Sequence, residues 1–128
     1  MRAALVNAVY VGAGGFIGAI CRYFLSGLVQ RGAGVLGFPY GTLAVNMMGC
    51  LVIGVFVGMI DTRQALGPEF RVFVLVGVLG GFTTYSTFGL ETLALLKDTE
   101  YLRATTNVVV HVVLGLALVW AGYALASK

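Results

Sequence analysis

Residues 80–88, from Gly80 to Phe88, read GGFTTYSTF and lie inside a hydrophobic segment that runs from about residue 72 to residue 96. Two adjacent glycines followed by serine and threonine hydroxyls are unexpected in a membrane-spanning helix, because hydrocarbon offers no water to satisfy freed backbone groups. The stretch therefore predicts a helix that is broken at mid-membrane, where protein or an aqueous cavity surrounds the break. Broken helices of this kind commonly mark ion or substrate sites, so we expect the function to reside here.

The composition of the whole chain predicts an all-α membrane protein. Of the 128 residues, 59% are hydrophobic and 10% are charged, whereas about 25% of residues are charged in an ordinary soluble domain. Since a helical span needs roughly 20 apolar residues, the chain has room for four spans and short loops. We place them at about residues 4–29, 40–60, 72–96 and 103–126, as a single transmembrane domain over residues 1–128.

The lysine and arginine residues divide evenly between the two sides of such a four-span chain. Both termini and the loop between the second and third spans share one side, so each side carries four basic residues: Arg2, Arg63, Arg71 and Lys128 against Arg22, Arg31, Lys97 and Arg103. Orientation follows the Lys/Arg asymmetry, and a balanced chain has little preference. We therefore expect copies that insert both ways and pair as an antiparallel homodimer. The alternative is that one loop dominates, or that Arg22 lies too deep to count.

Polar side chains inside the spans are candidates for a pore. Asn46, in the second span, either joins helices by a hydrogen bond or lines a pore and donates to an anion, and the residues leave both open. Glu91 is the only acid well inside a span, and an intramembrane ionisable residue is a functional hypothesis by default. Thr84, Thr87 and Glu91 recur at helical spacing. One face of the third span would then be polar for about two turns.

Two aromatic residues and two basic ones complete the candidates. Tyr85 and Phe88 share a helix face; they either pack in the core or line an anion path with their positive ring edges. Arg22 either snorkels to the interface or concentrates anions at a pore mouth. His111 is the lone histidine, and a hydrogen-bonded core residue is favoured over a metal ligand, so we leave it outside the candidate site.

Glycine spacing favours close helix association. Small residues four apart let helix backbones approach each other, and the chain contains Gly14-xxx-Gly18, Gly54-xxx-Gly58 and Gly77-xxx-Gly81. Four short helices enclose little interior, so we expect a second chain to complete the lining around the polar residues. Motifs of paired-carboxylate, nucleophilic, zinc and phosphate-loop chemistry are missing from the sequence, which argues against an enzyme.

The chain resembles the small bacterial fluoride channels, the Fluc or CrcB family, over nearly its whole length. Three stretches carry the resemblance: residues 18–23 (GAICRY), residues 41–49 (GTLAVNMMG) and, most specifically, residues 80–88. The resemblance implies an antiparallel dual-topology homodimer in the bacterial plasma membrane. Two pores, each built from both subunits, would export fluoride passively and confer fluoride resistance.

The resemblance also assigns roles to individual residues. Asn46 corresponds to the pore amide, and Tyr85 and Phe88 fall where the family keeps its pair of pore phenylalanines. Ser86, Thr87 and Glu91 fall on the adjoining polar track, and Arg22 on the vestibule arginine. The family also holds a structural sodium at the dimer centre, which here would use the backbone carbonyls of Gly80 and Thr83.

Two positions depart from the family, and two other function classes stay open, of which one, a non-conducting assembly subunit, would not need a polar stripe beside a helix break. Tyr85 replaces the usual phenylalanine, and His111 lies where a small hydroxyl residue is expected, so the contribution of the fourth span is in doubt. The alternative function is a small dual-topology multidrug or cation exporter. Exporters of that kind need a carboxylate in the first span to exchange protons for cationic drugs, and this first span contains no Asp or Glu.

The even division of basic residues predicts that a reporter fused to the C-terminus will be found on both sides of the membrane. Adding two or three arginines to one set of loops should bias the distribution and lower activity unless an oppositely biased copy is co-expressed. Accessibility of the reporter on each side measures the distribution. A wild-type C-terminus on one side only would contradict dual topology.

Overall fold

The regular structure is helical throughout the part of the chain that is described. The computed structural model describes residues 1–34, 37–63 and 66–128, apart from the side chain of Arg63. Its elements are listed in chain order: α1 (Arg2–Gly32), α2 (Tyr40–Arg63), α3 (Pro68–Arg71), a π-helical segment (Val72–Leu79), α4 (Gly80–Phe82), α5 (Tyr85–Lys97) and α6 (Tyr101–Ala126).

Four helical stretches are long and apolar enough to cross a membrane: Arg2–Gly32, Tyr40–Thr62, Pro68–Lys97 and Tyr101–Ala126. The prediction of an all-helical chain with four spans is thereby confirmed. Helical geometry continues a few residues past the predicted apolar limits because backbone hydrogen bonding does not need hydrocarbon around it. The third stretch begins with proline at its first position, where a missing N–H leaves no helical bond unmade.

The spans associate in two pairs. α1 packs along the π-helical segment and α4, while α2 packs along α6. Contacts of α1 with α2, and of α5 with α6, join the pairs. The third span thus leaves α1 after its first half and lies against α6 in its second half, so its middle comes between the two pairs.

Glycines bring the helices of each pair into close approach. A Cβ atom added to Gly14 would lie 2.9 Å from the Cα of Gly77. In the other pair, a Cβ atom added to Gly54 would lie 3.0 Å from the backbone nitrogen of Tyr123. Distances of this size leave no room for a side chain. All three glycine pairs noted in the sequence contact neighbouring helices of the same chain, so pairing of two chains has to be argued from other features.

Large apolar side chains cover much of the surface of a single chain. Phe16, Phe24, Leu90, Leu102 and Trp120 are each about 70–80% exposed. A surface of this kind is unsuited to water and is typical of contact with lipid or with another chain.

The glycine contacts predict opposite effects for two alanine substitutions in α1. A Cβ atom on Gly18 would lie 2.8 Å from the backbone nitrogen of Phe82, whereas nothing lies within 4 Å of one on Gly12. Gly18→Ala should therefore lower the free energy of unfolding by about 1–3 kcal/mol through overpacking. Gly12→Ala should leave it unchanged or raise it by up to about 1 kcal/mol, because alanine favours helix. Thermal unfolding of the detergent-solubilised protein measures both, and equal losses would refute this account.

Candidate functional site

The third span contains two residues in extended conformation between α4 and α5. Thr83 has φ −90° and ψ 158°, and Thr84 has φ −149° and ψ 116°. The last helical bond before this segment runs from the backbone N–H of Thr83 to the carbonyl of Leu79 at 3.0 Å, and Thr83 Oγ1 donates to the same carbonyl at 2.9 Å. Thr84 Oγ1 accepts from the backbone N–H of Thr87 at 3.3 Å. Threonine is a common N-cap because its side-chain oxygen can satisfy such a donor.

Asn46 of α2 holds this extended segment through two hydrogen bonds. Its Nδ2 donates to the carbonyl of Thr84 at 3.1 Å, and the backbone N–H of Thr84 donates to Asn46 Oδ1 at 2.9 Å. Asn46 is only 9% exposed. An amide group carries two N–H donors, so one N–H of Asn46 is not used by Thr84. The interhelical bond and the donor to an anion, which the sequence presented as alternatives, are therefore compatible.

A groove beside the extended segment brings several candidate residues together. It has a volume of about 380 Å³ and is lined mainly by apolar side chains of α2, the third span and α6. Its polar and aromatic lining consists of Asn46, Thr83, Thr84, Tyr85, Phe88 and His111. The Phe88 ring is buried, at 8% exposure, whereas Tyr85 is 84% exposed. Their ring centroids lie 5.5 Å apart.

A second groove, of about 260 Å³, lies against the same segment and shares only Thr84 with the first. Arg22 of α1 lines it together with Thr42, Thr84 and Thr87. Arg22 and Thr87 therefore share a groove with Thr84. Asn46 and Phe88 line the other groove. Ser86 is exposed, and its Oγ lies 3.4 Å from Thr84 Oγ1.

Glu91 faces α2 rather than the first groove. Its Oε1 accepts a hydrogen bond from Thr42 Oγ1 at 2.6 Å, and Thr42 is buried at 6% exposure. Glu91 Oε2 is buried without a partner among the described residues. Since buried polar groups are normally satisfied, this oxygen marks a place where a proton, a water molecule or a donor from another chain belongs.

The sequence reading missed a polar cluster in the second half of the third span and in α6. Asn107 is fully buried, at 0% exposure, and its Nδ2 donates to Thr92 Oγ1 at 2.9 Å. The ring nitrogen Nδ1 of His111 lies 2.9 Å from the Asn107 carbonyl oxygen. An amide within an apolar span is costly, and that signal alone could have directed attention to Asn107.

Comparison with known proteins shows which family the chain belongs to. Residues 9–123 match the model of a family described as CrcB-like protein, Camphor Resistance. The chain belongs to the CrcB family. Four of its helices are able to span a membrane, and the relatives described next come from bacteria. The chain is therefore a multi-pass bacterial membrane protein.

Three relatives named "Fluoride-specific ion channel FluC" show how complete the match is. The protein from Methylobacillus flagellatus is 42% identical over 123 residues, which cover 96% of each chain. The one from Geobacter sp. is 46% identical over 92% of this chain and 94% of its own. The one from Opitutus terrae is 46% identical over 90% of this chain and 88% of its own.

The two bonds between Asn46 and Thr84 predict a clear effect of removing the amide. Asn46→Leu keeps a similar volume but leaves the N–H and the carbonyl of Thr84 unpaired, which should cost about 1–3 kcal/mol per group. We expect a lower unfolding temperature and faster amide hydrogen exchange at residues 83–88. Met48→Ala, on an exposed part of the same helix, is the matched control and should change neither. Wild-type exchange in Asn46→Leu would show that the amide does not hold the segment.

Proposed function

We propose that this protein is a fluoride-selective ion channel that exports fluoride from the cytoplasm by passive permeation. The observation that carries the proposal is the groove at Thr83 and Thr84. It brings the amide of Asn46 together with hydroxyls and aromatic rings at the extended segment of the third span. Membership of the CrcB family, and the channel name borne by relatives 42–46% identical to it, support a channel rather than an enzyme.

The chemistry of the groove suits a small anion that accepts hydrogen bonds. Fluoride is strongly hydrated, so a pore must replace its water with donors that still release it. The N–H of Asn46 that Thr84 does not use is one such donor. Phe88 lines the same groove, and the edge of an aromatic ring is positive. A fixed cation would bind the anion more tightly, and among the described residues no lysine or arginine lines this groove.

The second groove supplies the remaining proposed roles. Arg22 would concentrate anions at the entrance, since a cation in a cleft raises the local anion concentration. Thr87, with Ser86 and Glu91, would form the polar track beside the aromatic pair. The bond from Thr42 to Glu91 at 2.6 Å orients that carboxyl group toward α2.

We further propose that the working unit is an antiparallel homodimer with two pores, each lined by both chains. The break in the third span would then lie at mid-membrane, where the partner covers it. Tyr85 is 84% exposed in the single chain although it lines the groove, so the groove is open on one side. A second copy of opposite orientation would close it, and the even division of basic residues permits that orientation.

The extended segment also fits a structural sodium ion at the dimer centre. In a continuous helix the N–H of Thr84 would bond to the carbonyl of Gly80, but it donates to Asn46 instead. The N–H of Thr87 would bond to the carbonyl of Thr83, but it donates to Thr84 Oγ1. Both carbonyls therefore lose their helical donors. Carbonyl oxygens can replace the hydration shell of a monovalent cation, and two chains would offer four.

A multidrug or cation exporter is not favoured. Its proton exchange needs a carboxylate in the first span, and Arg2–Gly32 contains no aspartate or glutamate. The acid that lies well inside a span, Glu91, is hydrogen-bonded to Thr42.

Fluoride efflux from proteoliposomes, followed with an ion-selective electrode, tests the function and the role of the rings. We expect rapid efflux from the wild type. Phe88→Ile keeps bulk but removes the ring edge, so it should slow efflux by at least about tenfold if the edge contributes about 1.4 kcal/mol or more. Tyr85→Phe removes only a hydroxyl and should retain substantial transport.

Size-exclusion chromatography of each variant controls for folding and assembly. Absence of fluoride efflux from folded wild-type protein would refute the channel. Unchanged efflux in folded Phe88→Ile would favour simple core packing of this ring, and near-total loss in Tyr85→Phe would show that its hydroxyl is itself a ligand.

A further inference from the structure

His111 is in direct contact with the buried aromatic ring of the groove. The ring centroids of Phe88 and His111 lie 4.4 Å apart, with an angle of 39° between their planes. Both residues line the groove that contains Asn46 and Tyr85. The fourth span thus reaches the proposed anion path through a ring that packs, at a tilt, against Phe88.

A chain of hydrogen bonds fixes this stack. Thr92 Oγ1 donates to the backbone carbonyl of Phe88 at 2.8 Å. The same hydroxyl accepts a hydrogen bond from Asn107 Nδ2 at 2.9 Å. The backbone carbonyl of Asn107 lies 2.9 Å from His111 Nδ1, and the imidazole ring of His111 contacts the Phe88 ring. The circuit starts at the backbone of Phe88 and ends at its side chain, and its centre, Asn107, is fully buried.

The hydrogen bond to the backbone carbonyl of Asn107 determines which nitrogen of His111 can gain or lose a proton. A carbonyl oxygen only accepts, so Nδ1 carries a hydrogen whether the imidazole is neutral or charged. The proton gained or lost is therefore the one on Nε2. That nitrogen is buried and has no partner among the described residues, so nothing in the described part of the chain compensates a charge there.

We propose that His111 is a positioning residue for Phe88 and that its protonation favours an anion at the ring edge. The inference rests on the proposed anion path. An imidazolium stacked within about 6 Å of an aromatic centroid is attracted to the ring face. Its positive charge also adds to the positive potential at the edge, where the anion passes. The proton comes from water at the ends of the pore.

The coupling is reciprocal. If the charged imidazole increases the affinity for the anion, then the anion must increase proton binding by the same factor. The other titratable groups that line the groove are Cys50 of α2 and Tyr85 of α5. Glu91 of α5 is bonded to Thr42, and the remaining ones of α6 lie near its ends. Of the side chains lining the groove, only a histidine ordinarily titrates between about pH 5 and pH 8.

The test measures the initial rate of fluoride efflux from proteoliposomes between about pH 8 and pH 5.5. Protein-free vesicles at each pH give the leak of undissociated hydrogen fluoride, which is subtracted. We expect the wild-type rate to change by about three- to tenfold as pH falls, because a charge beside the path alters both the binding of the anion and its release. His111→Gln cannot titrate, so it should transport fluoride with a flat profile. Cys50→Ala removes the neighbouring thiol and should keep the wild-type dependence.

A flat wild-type profile, or the wild-type dependence in folded His111→Gln, would overturn the inference while leaving the channel intact. A second measurement does not depend on transport. His111 is the only histidine of the chain, so imidazole NMR signals of untagged protein report on it alone. Saturating fluoride should move the titration midpoint to higher pH, whereas chloride should not. A midpoint that fluoride leaves unchanged would also overturn the inference, even if no efflux were seen.

Discussion

Hydrocarbon cannot hydrogen-bond to a peptide group, and the arrangement of this protein follows from how it satisfies that constraint at Thr84. The amide of Asn46 supplies an acceptor at 2.9 Å and a donor at 3.1 Å to the same residue. These two bonds, with the hydroxyl bonds of Thr83 and Thr84, permit extended backbone inside an apolar span. Without them the third span would have to be a continuous helix, and the groove would lose its polar lining.

The same bonds change the chemistry of the groups around them. Because Thr84 and Thr87 donate elsewhere, the carbonyls of Gly80 and Thr83 lose their helical donors, and in our proposal they bind a cation. The remaining N–H of Asn46 is free to bind an anion. One local rearrangement thus creates a proposed structural cation site and a proposed anion path. Their opposite signs are compatible because the proposed cation site uses backbone carbonyls of the third span, whereas the donor to the anion is the side-chain N–H of Asn46 on α2.

Helix packing explains why these groups meet. Glycines bring α1 onto the first half of the third span and α2 onto α6, and the extended residues lie where the two pairs join. The second half of the third span then reaches α6, where the ring of His111 contacts Phe88 and its Nδ1 bonds to the backbone carbonyl of Asn107. Tyr85 and the large apolar side chains on the surface stay exposed in the single chain. They are available for contact with lipid and, in our proposal, with a second copy.

The sequence alone determined the membrane setting, the four helices and the stretch that matters, because apolar length and the run of glycines and hydroxyls are local properties. It also singled out Asn46 and Glu91, since polar residues inside the spans are few, and Phe88, since it shares a helix face with Tyr85 beside the run of hydroxyls. Only the tertiary structure decided what each contacts: Asn46 bonds to Thr84, Glu91 bonds to Thr42, and Arg22 lines a different groove from Phe88. It also showed that the glycine pairs pack helices within one chain. His111, which we left outside the candidate site on sequence grounds, lies against Phe88. The bonds of Asn46 and Glu91 join residues 38 and 49 positions apart, and such contacts depend on the relative rotation of packed helices, which no local pattern specifies.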